Sequence, residues 1–196
     1  MTAPDAPPRA PEYYMLGCFG PLEEDSTEIR NVPRPEGVSW NAGARIAVPV
    51  PQPLRLELDP QHPGVLLPMY HKGVLVFSDA MVAAQRSAGV DNLELFDAII
   101  DDPFTGRPHT DYKVVNIVGA ISAADLGKSK HKAWGEPLYD VDFDGVVIDP
   151  KKTRGALMFR LAENVAGIVV HHRLKEALER AGIPYLDFYL PEDWVG

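Results

Sequence analysis

Thirteen of the nineteen prolines in this 196-residue chain precede Met69. Proline lacks a backbone donor and drives the residue before it out of the helical region, so a segment this rich in proline resists being built from helices. The first third is expected to be extended and turning, a proline-rich N-terminal subdomain reaching to about residue 68. Residues 1–11 (MTAPDAPPRAP) read as a disordered tail, leaving 12–196 as a single α+β domain. The tail has no hydrophobic stretch of the kind a signal peptide needs. Two strands are predicted within the proline-rich part. Tyr13–Phe19 (YYMLGCF) is aromatic and apolar, and Leu54, Leu56 and Leu58 alternate with Arg55 and Glu57, the pattern of a half-buried strand.

Beyond Met69 the chain carries a weak internal repeat at an offset of 93. Val74–Phe96 (VLVFSDAMVAAQRSAGVDNLELF) aligns with Gly167–Tyr189 (GIVVHHRLKEALERAGIPYLDFY), with Val76, Ala84, Ala88, Gly89 and Leu93 repeated as Val169, Ala177, Ala181, Gly182 and Leu186. Each copy reads as strand, helix, glycine stop, strand. Leu174, Ala177, Leu178 and Ala181 fall on one helical face. Gly89 and Gly182 are placed to close the helices in the left-handed region, and Ser78 or Asp79 to cap the first. Two copies are too few for a solenoid, so a pseudo-symmetric α+β body is expected. Further strands are predicted at Tyr112–Val118, Gly145–Ile148 and Leu157–Leu161, the last leading through Glu163-Asn164 into a hairpin. Short strands close in sequence favour a mostly antiparallel sheet with helices on one side.

Nineteen basic against 28 acidic residues give a net charge of −9, which disfavours nucleic acid and anionic membranes as partners. From Val90 to Asp149 there are 12 acidic and five basic residues, a net of −7; the other 136 residues carry 16 and 14, a net of −2. A field concentrated in this way steers a basic partner. Cys18 is the single cysteine, so no intrachain disulfide and no cysteine-rich zinc site are available; the residue reads as a small buried hydrophobe. The longest uncharged apolar-leaning run, Val114–Ala124, is too short to cross a bilayer. These features together describe a cytoplasmic protein.

Phosphate-binding glycine loops, nucleophile elbows and zinc-protease helices are missing from the sequence. Three local groups could carry chemistry. His171-His172 stands at the entrance to the second helix, where one residue would end the strand and the other begin the helix; adjacent strand residues point to opposite faces, so the rings are not expected to converge on a metal. Asp140, Asp142 and Asp144 before Gly145 resemble the start of a calcium loop, but the twelfth position is Lys151 rather than a glutamate, and Val141 and Phe143 read as strand alternation. Asp101-Asp102, Arg107, His109 and Asp111 fall in a turn-rich loop between Phe96 and Tyr112, a composition suited to acid–base work.

The order DNLELFDAII (from Asp91), YKVVNIVGAISAADL (Tyr112–Leu126), MFRLAE (Met158–Glu163) and IVVHHRLKEALERAGIPYLDF (Ile168–Phe188) resembles the Imm-eleven family, over roughly Leu54–Trp194. These are immunity proteins of bacterial polymorphic toxin systems. The resemblance implies an antitoxin rather than an enzyme, encoded beside a secreted toxin, often one delivered by a type VI system, which it binds and occludes. It implies no catalytic, cofactor-binding or metal-ligating residues. Where family members carry a Ser-Glu or similar pair before the last helix, this chain has His171-His172. Residues expected to contact the toxin are Asp101, Asp102, Asp140, Asp142, Asp144, His171 and His172. The alternative is a small enzyme or ligand-binding module using His109/Asp111 or His171/His172. Oligomeric state is not legible.

Overall fold

The computed structural model describes residues 11–22, 24–133 and 140–196, so the expected tail lies outside the described residues except for Pro11. In chain order the elements are β1 (Tyr13–Cys18), β2 (Ile29–Arg30), β3 (Leu54–Leu58), β4 (Met69–His71), β5 (Leu75–Ser78), α1 (Asp79–Ser87), β6 (Leu93–Asp101), β7 (His109–Ile117), β8 (Ala120–Ile121), β9 (His131–Ala133), β10 (Val141–Phe143), α2 (Pro150–Thr153), β11 (Met158–Leu161), β12 (Asn164–His171), α3 (His172–Arg180) and β13 (Leu186–Tyr189). A 3-10 turn, Pro191–Asp193, follows. The fold is mixed α/β and dominated by strands.

The strands form a six-stranded sheet ordered β2-β3-β6-β7-β5-β4, a five-stranded sheet ordered β13-β1-β12-β11-β8, and a β9-β10 ribbon. Pairing is antiparallel except at β3–β6 and β8–β11. The alternation at Leu54, Leu56 and Leu58 folds as expected, with all three leucines buried. The run LMFRLAENVAGIVV forms the β11–β12 hairpin.

The two large sheets contain a matching local arrangement. β5 and β6 run parallel on either side of β7, joined by α1; β12 and β13 run parallel on either side of β1, joined by α3. Val76 lies opposite Val114, which lies opposite Phe96; Val169 lies opposite Met15, which lies opposite Tyr189. The middle strand is supplied from different places in the chain, after the unit in one case and from the N-terminal side in the other. Ser78 caps α1, its Oγ accepting from the Met81 amide at 3.2 Å. Gly89 and Gly182 follow the helices with φ of 98° and 67°, the left-handed region in which glycine carries no Cβ penalty.

Both faces of each large sheet are buried. One face of each, with α1 and α3, forms an inner core that includes Leu75, Phe77, Met81, Ile168, Leu174 and Leu178. Complete burial of side chains such as Leu174 and Leu178 contributes about 2 kcal/mol each. The outer face of the six-stranded sheet, including Leu56, Val76 and Val114, is covered by residues from 32–50, with Trp40 edge-on to Phe96 at 5.4 Å. The outer face of the five-stranded sheet, including Met15, Phe159 and Val169, is covered by Val141, Phe143 and Val146.

Two expectations are corrected. Gly145–Ile148 is not a strand: Gly145 has a φ of 100°, and the Val146 amide donates to the Pro191 carbonyl at 2.9 Å, so the segment docks on the C-terminal turn. The strand is the preceding β10, with Val141 and Phe143 buried and Asp142 exposed. The turn-rich loop after Phe96 is also shorter than expected, because β6 and β7 extend to Asp101 and His109. A Cβ at Gly145 would lie 2.6 Å from the Glu192 carbonyl oxygen. Gly145→Ala is therefore expected to lower stability by about 2–3 kcal/mol, read as a lower chemical-denaturation midpoint at unchanged slope.

Candidate functional site

A cleft of about 540 Å³ opens where the end of β1 meets β4, β12 and the C-terminal segment. Alternation along the strands supplies its walls. On β1, Tyr13 and Met15 enter the outer core while Leu16 and Cys18 face the inner one; on β4, Tyr70 faces outward and Met69 inward. The rim is apolar and aromatic. Phe19 is 70% exposed, Val195 74% and Tyr189 37%, with Trp194 beside them. Phe19 and Tyr189 meet edge to face at 6.2 Å. Gly17 permits this closure, since a Cβ there would stand 2.7 Å from Phe19 Cε2. Burial pushes the Cys18 thiol up to about 11, so it is a neutral wall of the cleft rather than a nucleophile.

Two basic side chains belong to the surrounding strands: His71 at the end of β4, and Arg160, which is buried on β11 and does not line the cleft. His71 lines the cleft, and desolvation together with the nearby Arg160 charge pushes its imidazole down to about 4. Arg160 is fully buried, and desolvation lowers it to about 10, still protonated at neutral pH. Its Nη1 donates to the Val165 carbonyl at 2.6 Å, while Nε and Nη2 have no hydrogen-bond partner among the described residues. The strand pattern LMFRL contained a signal for this residue: alternation places Arg160 on the same inward face as Met158. Phe19, His71, Tyr189 and Trp194 come from separated parts of the chain and have no joint signature.

The acidic strand borders this cleft. Asp144 bridges to Val195, the Phe143 amide donates to the Gly196 carbonyl at 2.5 Å, and the Phe143 and Trp194 rings are 6.2 Å apart. Asp140, Asp142 and Asp144 are exposed on it, with Lys132 directly across the ribbon from Asp142. The acidic segment is thus interleaved with bases, and several of its carboxylates are paired: Asp97 with Lys113, Asp101 with Arg55 and Asp125 with Lys128.

The other expected residues lie away from this cleft. Asp102 is buried in the β6–β7 turn, accepting from the Phe104 and Thr105 amides and the Thr105 hydroxyl, with His109 Nε2 at 3.1 Å. Those contacts organise the hairpin turn, and Asp111 is exposed on β7. His171 ends β12 and caps α3, its Nδ1 accepting from the Arg173 amide at 3.2 Å, and His172 begins the helix. Strand alternation fails at this junction because the chain is already turning into the helix. The two rings lie 4.2 Å apart, rather than on opposite faces. Tyr13 packs edge-on against His171 at 5.1 Å.

No protein-family model and no curated protein matches this sequence. No helix among the described residues is long and apolar enough to cross a membrane.

Arg160→Met removes a buried, incompletely paired cation and is expected to raise stability by about 1–2 kcal/mol in chemical denaturation; a loss of that size would contradict this account. His71 binds a proton less readily folded than unfolded, so lowering the pH from about 6.5 to about 4 progressively removes stability. His71→Gln should flatten that part of the stability–pH curve.

Proposed function

We propose that this chain is an immunity protein, acting in the cytoplasm of the producing cell to neutralise a cognate secreted toxin by protein–protein occlusion. The observation that carries this reading is the aromatic rim of exposed Phe19 and Tyr189 and half-buried Trp194 beside the acidic strand. Aromatic side chains that bury a large area with little entropy loss dominate the binding energy of protein interfaces. Charges at the edge act mainly on the rate of encounter. The resemblance to the Imm-eleven family supplies the partner class, a toxin encoded by the adjacent gene.

In this reading the cleft rim holds the toxin, and Asp140, Asp142 and Asp144 steer it. Asp101 and Asp102 serve the β6–β7 hairpin, and His171 and His172 serve the strand–helix junction. The two strand–helix–strand units are read as pseudo-repeats, supported by the 93-residue offset that relates their sequences and their registers. The proline-rich segment is read as a cover on one repeat.

Co-expression with the product of the adjacent reading frame is expected to restore growth, and the two proteins to co-purify; absence of rescue by folded protein would overturn the reading. Phe19→Ala and Tyr189→Ala should each raise the dissociation rate about tenfold or more without lowering the melting temperature. Reversing Asp140, Asp142 and Asp144 together should instead slow association and flatten its dependence on ionic strength.

A further inference from the structure

The five-stranded sheet ends at β13, which pairs on one side only, with β1. Its free side can be read from the register. The His172 amide donates to the Glu12 carbonyl at 2.9 Å, continuing the β1–β12 ladder in which Tyr13 is opposite His171 and Tyr14 opposite Val170. Backbone groups alternate in direction along a strand, so Tyr14 bonds towards β12, while Tyr13, Met15 and Gly17 turn towards β13. Met15 is opposite Tyr189 and Gly17 opposite Asp187. Asp187 and Tyr189 therefore bond inward, and the amides and carbonyls of Leu186 and Phe188 point out of the sheet. Among the described residues no hydrogen bond reaches these four outward groups. A row of this kind is a template for a further strand.

The edge discriminates between occupants. In the antiparallel two-fold register that uses all four groups, Leu186 meets Phe188 of a second copy, and Asp187 falls opposite Asp187. Like charges directly opposite on a sheet destabilise the pair. Pairing Leu186 with itself brings Pro184, which has no amide, opposite Phe188. Pairing Phe188 with itself brings in Leu190, whose carbonyl already accepts from the Asp193 amide at 3.0 Å. The edge is thus built against its own copy and open to a different chain.

We propose that β13 receives an extended segment of the toxin as a sixth strand of this sheet. Its backbone bonds to Leu186 and Phe188, and it sets a basic side chain beside Asp187 and an apolar one beside Tyr189. Strand alternation puts Leu186 and Phe188 against the inner core and Asp187 and Tyr189 on the opposite face. Asp187 accepts from the Phe19 amide at 3.3 Å, and Tyr189 lines the cleft, so the added strand is continuous with the aromatic rim. The partner's identity rests on the immunity reading; the mode of contact goes beyond it.

The test is residue-resolved amide hydrogen exchange by NMR on the full chain, free and in complex with the product of the adjacent reading frame. In the free chain Leu186 and Phe188 are expected to exchange fast, and Asp187 and Tyr189 slowly. In the complex Leu186 and Phe188 should slow at least about tenfold, which removes the alternation. Phe188→Ala and Phe188→Pro both lose the ring, but only proline loses the outward amide, at an edge position where it is tolerated. The proline variant should dissociate from the toxin at least about tenfold faster than the alanine variant. If it does not fold, the exchange pattern of the native chain decides. The proposal is overturned, with the immunity reading intact, if the complex forms while Leu186 and Phe188 exchange as in the free chain, or if the two variants dissociate alike. Slow exchange of both amides in the free chain would overturn it as well, since the edge would already be covered. Absence of both a complex and growth rescue would overturn the immunity reading and this assignment with it.

Discussion

Burial of both faces of both large sheets is the constraint on which the remaining structure depends. A sheet of this kind needs a cover on each side, and three different covers are used. The inner faces cover one another with the help of α1 and α3. The outer face of the six-stranded sheet takes the proline-rich segment around Trp40, and that of the five-stranded sheet takes the segment carrying Val141, Phe143 and Val146. Prolines suit such a cover because they keep the chain extended and surrender no ladder hydrogen bonds that it would otherwise have formed. Strands buried on both sides also account for the near-continuous apolar runs VLVF and IVV.

Much of the framework was legible because it follows local rules. Leu54, Leu56 and Leu58 alternate as a strand must, and the periodicity over Leu174–Ala181 forms α3 with its leucines inward. What escaped was set by distant partners. The apolar stretch that begins at Gly145 looks like a strand, yet the C-terminal segment captures the Gly145 and Val146 amides and the Ser129 hydroxyl that of Val147. His171 and His172 obey strand alternation only until the chain turns, and the turn falls between them. The acidic segment from Val90 to Asp149 counts as a block along the sequence, but in space Arg55 and Lys113 come in to pair with parts of it.

The cleft was the least legible feature, because no single stretch contains it. β1 brings Leu16–Cys18, β4 brings Met69 and His71, β12 brings Ala166, and the C-terminal segment brings Trp194 and Val195. Its chemistry is divided in the same way. An apolar, aromatic rim suits burial against a partner, while His71 at the end of β4 and Asp193 beside the C-terminal turn add polar groups to the lining. The acidic β10 adjoins the rim through Val195 and Gly196, so a partner resting on the aromatics is also within reach of the aspartates.

The central claim is that the toxin engages this face of the molecule. Amide hydrogen exchange on the chain alone and in complex with the product of the adjacent gene tests it most directly. The account predicts slowed exchange concentrated in residues 16–20, 69–72, 140–146 and 186–196, with the β6–β7 turn and the start of α3 unchanged. Protection confined to Asp101–His109 or to His171–Arg180, with the cleft segments exchanging as in the free chain, would contradict it.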